Sequence, residues 1–278
     1  CISTDALAEK LKIAHQNNKL PKVLIVVHYS GISCDMQLIK QLCQPYNIAI
    51  IEDASHAIGG SYQGNKIGCC QYSDMTIFSF HPVKIITSGE GGMITTNQQE
   101  LADKLKLLGS HGITKDHQLM TNETAEPWYY EQQQLGFNYR MSDIHAALGL
   151  SQLNKLEEFV EKRNLQAQCY QQALSCLPIE LLTVPDNCYS PWHLFVLRLK
   201  DEAKLNRAEL YHALQSSGVG CQVHYIPVHT HPYYQALGFN WGDFPHAEKF
   251  YQQCLSLPIF PDLAQQQIVI DRLTAILL

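Results

Sequence analysis

The chain has 278 residues, of which 46% are hydrophobic and 17% charged, enough for one large core or a core with a smaller second unit. Its formal net charge of -6 gives no basic surface for nucleic acid, and charged or polar residues interrupt every apolar run before it reaches bilayer length. These properties argue against a nucleic-acid-binding protein and against a protein whose helices cross a membrane.

The spacing of apolar residues predicts alternating helices and strands over roughly the first 110 residues. Residues 22–28 are almost continuously apolar and β-branched, which is typical of a buried parallel strand. Asp35 is placed to cap a helix that runs to about Tyr46, and a strand over 48–52 completes a β-α-β unit with parallel strands. The remaining predictions are helices at 5–13 and 98–108, strands at 75–80 and 91–96, and a tight turn at Gly64 and Asn65.

The second half of the chain begins with a long polar and aromatic loop over residues 109–139, and such loops are usually functional. Ser142 and Asp143 then begin a long helical pattern over 144–176 with a bend or break near its middle. The rest predicts a smaller α+β unit with strands at 192–199 and 220–225, a helix at 207–215 and two terminal helices. We expect a large domain over residues 1–160 and a small domain over 161–278.

Two residues of opposite charge follow neighbouring strands. Asp53 ends the run that begins at Ile48, and Lys84 lies in a glycine-rich loop after the strand 75–80, which also carries Ser79. Ligands of open α/β sheets gather at the carboxyl ends of the strands, where these side chains fall. An amine that condenses with the cofactor aldehyde and an acid that protonates the pyridine nitrogen are what pyridoxal phosphate (PLP) chemistry requires.

The residues alone leave simpler interpretations open. Lys84 could be a solvated charge, Asp53 a helix cap, and Ser79 a small residue of a core strand. Asn138, discussed below, could hold a left-handed turn.

Cysteines and histidines are numerous but form no recognisable site. The ten cysteines include no C-x-x-C pair, so we expect free thiols in a reducing cytoplasm. His224, His229 and His231 are near enough in the sequence to suggest a metal site, but no carboxylate or cysteine lies beside them at ligand spacing. The sequence therefore predicts no metal.

Four segments together resemble the DegT/DnrJ/EryC1/StrS family of sugar aminotransferases. They are residues 52–59 (EDASHAIG), 78–84 (FSFHPVK), 89–92 (GEGG) and 136–143 (GFNYRMSD), and they occur in the family's order along the chain. The resemblance implies an α/β fold of the aspartate aminotransferase type (fold type I), with a mostly parallel sheet in the large domain and a smaller C-terminal α+β domain. It also implies PLP as the cofactor.

The resemblance assigns a role to each matching residue. Lys84 would bind PLP covalently and move the proton during transfer, while Asp53 would pair with the pyridine nitrogen. His56 would contact the phenolic oxygen, and Ser79 would donate to the phosphate. Asn138 would reach the phosphate and substrate region of a neighbouring subunit, which implies a homodimer with shared active sites.

Further segments resemble the branch of the family that acts in pseudaminic acid biosynthesis. They are residues 110–116 (SHGITKD), 126–131 (EPWYYE), 223–229 (VHYIPVH) and 237–245 (LGFNWGDFP). This likeness implies a UDP-linked 4-keto sugar and glutamate as substrates. His224 and Tyr225 match a loop expected near the sugar nucleotide, although a strand histidine and an interface tyrosine are equally simple interpretations.

Other functions remain to be weighed against an aminotransferase. Sugar dehydratases of the same family carry histidine where Lys84 stands, so Lys84 argues against that activity. A non-catalytic protein of the same fold, binding a sugar nucleotide or a partner, is a second alternative. A third is an aminotransferase of the same family that acts on another 4-keto sugar nucleotide. In related enzymes a phosphate-binding helix N-terminus and an aromatic that stacks on the cofactor precede the segment matching Cys1. We therefore expect that the chain is a fragment with an N-terminal part missing, and that alone it holds PLP weakly.

Overall fold

A computed structural model describes residues 1–122 and 126–278. Its helices are α1 (Thr4–Gln16), α2 (Met36–Cys43), α3 (Gln99–Gly109), α4 (Asp143–Leu153), α5 (Leu156–Ala173), α6 (Arg207–Ser216), α7 (Pro232–Gln235), α8 (Pro245–Gln253) and α9 (Gln266–Leu277). Its strands are β1 (Val23–Val27), β2 (Ala49–Asp53), β3 (Ser61–Tyr62), β4 (Asn65–Lys66), β5 (Met75–Ser79), β6 (Gly92–Thr95), β7 (Ile113–Thr114), β8 (Glu131–Gln132), β9 (Ile179–Leu181), β10 (Cys188–Tyr189), β11 (Phe195–Leu199) and β12 (Cys254–Leu257). Short 3-10 turns occur at Tyr29–Gly31, Gln44–Tyr46 and Val228–Thr230.

The chain forms two compact units. The first contains residues 1–28, 34–58 and 65–154, and the second contains residues 29–33, 59–64 and 155–278. Two short segments of the N-terminal half therefore belong to the second unit. Of the helices within the described ranges, none combines the length and the apolar character needed to cross a membrane.

The first unit is built on a four-stranded sheet in the order β1-β2-β5-β6. β1, β2 and β5 are parallel, and β6 pairs antiparallel with β5. The predicted α/β fold with a mostly parallel sheet is confirmed. Asp35 caps α2 as expected, because the Leu38 N–H donates to its Oδ1 at 3.2 Å.

The two central strands have one buried face and one half-buried face. Along β2 and β5 burial alternates with every residue, because successive side chains of a strand point to opposite sides. Glu52 and Thr76 lie on the buried face, whereas Asp53 and Ser79 lie on the half-buried one. The pleat therefore places two predicted site residues on the same accessible side of the sheet.

The second unit has its own hydrophobic core around an antiparallel sheet in the order β12-β11-β9. The side chains of α5, α6 and α9 cover this sheet, and Tyr170, Leu197, Leu210, Leu255 and Leu273 are fully buried. At about 25 cal/mol per Å² of buried apolar surface, these contacts are the main stabilising term of the unit. The expected α+β character of this part is present.

Several local predictions were wrong. Residues 220–225 form no strand, because only Gln222 pairs, through a single bridge to Ser256. The tight turn is centred on Gln63 and Gly64, both at positive φ, one residue before the predicted position. Trp192 has φ 47°, outside the range of extended backbone, and β11 begins at Phe195, three residues after the predicted start of the strand.

The break in the long helix falls at residues 154–155, as expected. Residues 123–125 of the predicted 109–139 loop lie outside the described residues.

Candidate active site

Asp53 and Ser79 occupy equivalent places at the ends of two neighbouring parallel strands. Asp53 is the last residue of β2 and Ser79 the last residue of β5. The Asp53 carboxylate accepts the Ser55 N–H at 3.0 Å, and the Ser79 hydroxyl accepts the His81 N–H at 3.4 Å. Backbone amides thus orient a carboxylate and a hydroxyl at one edge of the sheet.

Lys84 lies in a turn that follows directly from β5. The Lys84 backbone N–H donates to the His81 carbonyl at 3.0 Å, and the Ser88 N–H donates to the Phe80 carbonyl, also at 3.0 Å. Burial lowers the pKa of the half-buried Lys84 amine, and the negative charge of Asp53 opposes that shift. The amine and the carboxylate are therefore within electrostatic reach, and the amine carries a larger neutral fraction than a solvated lysine.

A glycine allows the close approach of the strands beside this turn. Gly92 pairs with Ser79, and a Cβ at position 92 would lie 2.8 Å from the Phe78 carbonyl oxygen. The Phe80 N–H also donates to the Gly91 carbonyl at 2.9 Å. The GEGG segment thus supports the end of β5, from which Ser79 and the Lys84 turn project.

His56 and Asn138 have different surroundings. His56 is buried in the turn that follows β2, three residues after Asp53. Asn138 is exposed, and its backbone forms an antiparallel bridge with Ser110. The Arg140 side chain donates to the hydroxyl of the same Ser110. The side chain of Asn138 is therefore accessible on the surface of the first unit.

His224 and Tyr225 belong to the second unit and contact each other. Their rings meet edge to face with centroids 4.7 Å apart. His224 Nδ1 is 2.8 Å from the Ser256 hydroxyl, and its carbonyl accepts the Tyr29 hydroxyl at 2.5 Å. Tyr225 is half exposed, and burial of the rest of its ring raises the pKa of its hydroxyl.

A buried carboxylate beneath Asp53 was missed by the sequence analysis. Glu52 is 5% exposed, and its two oxygens contact three side chains: His28 at 2.7 Å, Ser73 at 2.5 Å and Thr76 at 3.0 Å. The signal in the sequence is an acid inside an apolar strand, one position before another acid. Such a residue must find buried partners, because an isolated buried charge is very costly.

A second buried pair accounts for one of the histidines considered for a metal. His229 Nε2 is 2.9 Å from Glu248 Oε1, which also accepts the Gly242 and Phe244 N–H groups at 2.8 and 3.2 Å. Within residues 1–122 and 126–278, no three histidine, cysteine or acidic side chains are grouped so that they could hold a metal ion.

The residues at the strand ends fit PLP. The half-buried amine of Lys84 can condense with an aldehyde in its neutral form. The Asp53 carboxylate, within electrostatic reach of that amine, can pair with a protonated pyridine nitrogen. Ser79 offers a hydroxyl at the end of the adjacent strand, on the same face of the sheet as Asp53.

Comparison with known proteins gives consistent matches. The model of the DegT/DnrJ/EryC1/StrS aminotransferase family matches residues 1–274. The spore coat polysaccharide biosynthesis protein SpsC of Bacillus subtilis is 39% identical over 252 residues, covering 89% of this chain and 64% of that protein. The UDP-4-amino-4,6-dideoxy-N-acetyl-beta-L-altrosamine transaminase of Campylobacter jejuni is 38% identical over 255 residues, covering 91% of this chain and 65% of that protein. The chain thus spans just under two thirds of the length of these relatives.

A solved structure agrees with the sequence matches. PseC of Helicobacter pylori, an aminotransferase involved in the biosynthesis of pseudoaminic acid, has a TM-score of 0.88 and 31% sequence identity. The match covers 99% of this chain and 70% of PseC. A similarity of this extent supports the α/β architecture described above.

Proposed function

The chain belongs to the DegT/DnrJ/EryC1/StrS aminotransferase family, and we propose that it functions as a PLP-dependent sugar aminotransferase. The reaction would move an amino group from glutamate to C4 of a UDP-linked 4-keto-6-deoxy-N-acetylhexosamine. The observation that carries this proposal is the half-buried amine of Lys84, in the turn after β5, within electrostatic reach of Asp53 at the end of the neighbouring strand β2.

Five residues would hold the cofactor. Lys84 would bind it covalently, Asp53 would pair with its ring nitrogen, and His56 would contact its phenolic oxygen. Ser79 would donate its hydroxyl to the phosphate, and Asn138 would reach the same region from the other subunit of a dimer. When bound, PLP supplies an electron-withdrawing ring that stabilises negative charge on the carbon losing its proton.

Lys84 would also act as the base and acid of the transfer. Its amine must be neutral to accept a proton at Nζ, and burial favours the neutral form. The same amine then returns the proton on the way to product. The Asp53 carboxylate would pair with the pyridine nitrogen and favour its protonated form.

The substrate assignment rests on the branch of the family that the chain resembles. The relative from Campylobacter jejuni is named for a UDP-linked amino sugar, and the structural relative from Helicobacter pylori is described as acting in pseudoaminic acid biosynthesis. We assign His224 and the half-exposed Tyr225 to the sugar-nucleotide site. The buried thiols of Cys34, Cys43 and Cys70 fit the reducing cytoplasm, where sugar nucleotides are made.

A homodimer would cover a hydrophobic surface of the first unit. Every residue of α4 is at least partly exposed, including Ile144 at 82% and Leu150 at 63%. The preceding segment exposes Leu135 and Tyr139 beside Asn138. Exposed apolar residues are typical of an interaction site, and those that flank Asn138 in the sequence support a shared active site.

A direct assay tests the function. The protein is incubated with PLP, glutamate and either UDP- or dTDP-linked 4-keto sugars, and products are identified by mass spectrometry. We expect an amino sugar with the UDP substrate and none with Lys84→Ala, while Lys106→Ala, a matched change at an exposed lysine of α3, retains activity. Binding of the UDP sugar without turnover, in a protein that Lys84→Ala leaves unchanged, would instead indicate a non-catalytic binding protein.

A further inference from the structure

We propose that Glu52 is a positioning residue for Asp53, acting through a buried cluster that joins three neighbouring strands. The cluster consists of His28, Glu52, Ser73 and Thr76, and it lies on the face of the sheet opposite Asp53. The inference rests on the proposed function, because it concerns how Asp53 is held for the cofactor.

The cluster connects each strand of the parallel part of the sheet. His28 follows β1 directly and is fully buried, Glu52 lies in β2, and Thr76 lies in β5 opposite Glu52 in the pairing register. The Glu52 carboxylate therefore accepts hydrogen bonds from side chains on both sides of β2. Ser73, just before β5, adds a third donor to the same carboxylate.

The backbone of Asp53 is fixed by the same residues. The His28 N–H donates to the Asp53 carbonyl at 3.1 Å, while the His28 ring holds the adjacent Glu52. On the other side, the Ala54 N–H donates to the Ile77 carbonyl at 2.9 Å. The main chain at Asp53 is thus hydrogen-bonded to both neighbouring segments, the end of β1 on one side and β5 on the other. The Glu52 side chain contacts both of these segments, through His28 and Thr76.

The charge state of the cluster follows from its hydrogen bonds. Burial lowers the pKa of the His28 ring, but the hydrogen bonds and charges of Cys34 and Glu52 outweigh burial and raise that pKa to about 9. Because the Cys34 N–H donates to Nδ1 at 3.1 Å, we place a ring proton on Nε2, from which it is donated to Glu52. Burial raises the pKa of Glu52, but the donors from His28, Ser73 and Thr76 outweigh it and hold that pKa below its usual value.

A buried carboxylate is a poor means of general stabilisation. Replacing buried charged groups with well-packed apolar residues is often neutral or stabilising, so stability alone does not explain Glu52. Its hydrogen bonds have defined directions, however, and they fix the register of β1, β2 and β5 at the point where Asp53 emerges. The cluster therefore determines geometry at the proposed cofactor site.

A double-mutant cycle tests this role. PLP dissociation constants are measured by absorbance titration for the wild type, Glu52→Ala, Asp53→Asn and the double variant. In the wild-type background Glu52→Ala should weaken binding about tenfold, which corresponds to about 1.4 kcal/mol, because Asp53 is then no longer held in place for the cofactor. In the Asp53→Asn background it should weaken binding less than about twofold, because the group being positioned is already altered.

Three further variants separate positioning from loss of fold. Glu52→Gln keeps an acceptor for His28 and a donor for the hydroxyls, so it should restore binding to within about twofold of the wild type. Ile39→Ala removes a fully buried side chain of α2 outside the cluster and should lower the melting temperature without changing PLP affinity. If Glu52→Ala does not fold, Thr76→Val takes its place in the same cycle.

The pH dependence of the absorbance of bound PLP provides a second readout. Glu52→Ala should move its midpoint in the same direction as Asp53→Asn, by a smaller amount. Equal weakening by Glu52→Ala in both backgrounds, or an affinity loss in Ile39→Ala as large as in Glu52→Ala, would overturn the inference. A wild-type protein that binds no PLP at Lys84 would instead contradict the proposed function.

Discussion

Replacing Gly92 with alanine should disturb the end of β5 and the lysine turn together. The added Cβ would lie 2.8 Å from the carbonyl oxygen of Phe78, a backbone atom that cannot rotate away. To restore an ordinary carbon–oxygen contact, β6 must move from β5 by roughly half an ångström. Gly92 pairs with Ser79, so the movement would reach the residue that we assign to the cofactor phosphate.

The size of the effect can be worked out from this contact. Adding a methyl group that overlaps a neighbouring atom costs about 1–3 kcal/mol, and each kcal/mol corresponds to roughly 2–4 °C in the melting temperature of a chain of this size. We therefore expect Gly92→Ala to melt about 2–12 °C below the wild type and to bind PLP more weakly.

Gly109 provides a matched control. It is the last residue of α3, and an added Cβ there would have no atom within 4 Å. Neither Gly92 nor Gly109 has positive φ, so the two alanine variants differ in contact rather than in backbone strain. Thermal unfolding by circular dichroism should show Gly109→Ala at or above the wild-type melting temperature. A Gly92→Ala protein as stable as Gly109→Ala would refute the reasoning.

Three other predictions concern separate parts of the chain. Tyr170 is fully buried and its hydroxyl donates to the Pro258 carbonyl at 2.9 Å, so Tyr170→Phe should lower the free energy of unfolding by about 1–2 kcal/mol in urea denaturation, and no change would contradict this bond. The Thr121 backbone N–H and other donors hold the pKa of Glu131 below its usual value. The ionised Glu131 therefore stabilises the folded loop at any pH above the pKa that this group has in the unfolded chain. That stabilisation is lost as the pH falls through the lower pKa of the folded state. Hydrogen exchange of Thr121 and Asn122, whose N–H groups donate to Glu131, should therefore lose protection in acid, and Glu131→Gln should abolish that pH dependence; an unchanged profile by mass spectrometry would contradict it. Asp53→Ala should slow transamination roughly 10²–10³-fold by leaving the ring nitrogen unprotonated, and a rate within a few-fold of the wild type would make Asp53 structural.

Much of the first unit was predictable because its signals are local. Continuous β-branched runs identified β1, β2 and β5, and the positions that follow them identified Asp53 and Lys84. The order of strands was not predictable, because pairing depends on contacts far apart in the sequence. The same limit applies to residues 29–33 and 59–64, which join the second unit through tertiary contacts alone.

The buried side of the site escaped prediction for a related reason. Glu52 resembles any acid near a strand end, and only the pairing of β2 with β5 brings Thr76 to it. Residues 220–225 show the opposite error, since an extended apolar pattern does not form a strand without a neighbour that can pair along its length. His224 is instead held by its side chain on Ser256.

Borohydride reduction in the presence of PLP tests the central claim most directly. Reduction makes the bond between a lysine and the cofactor permanent, and peptide mapping by mass spectrometry then locates the modified residue. We predict that the label lies on the peptide that contains Lys84 and that Lys84→Ala acquires none at this site. A label found mainly on another lysine, or a wild-type protein left unlabelled at saturating PLP, would contradict the account.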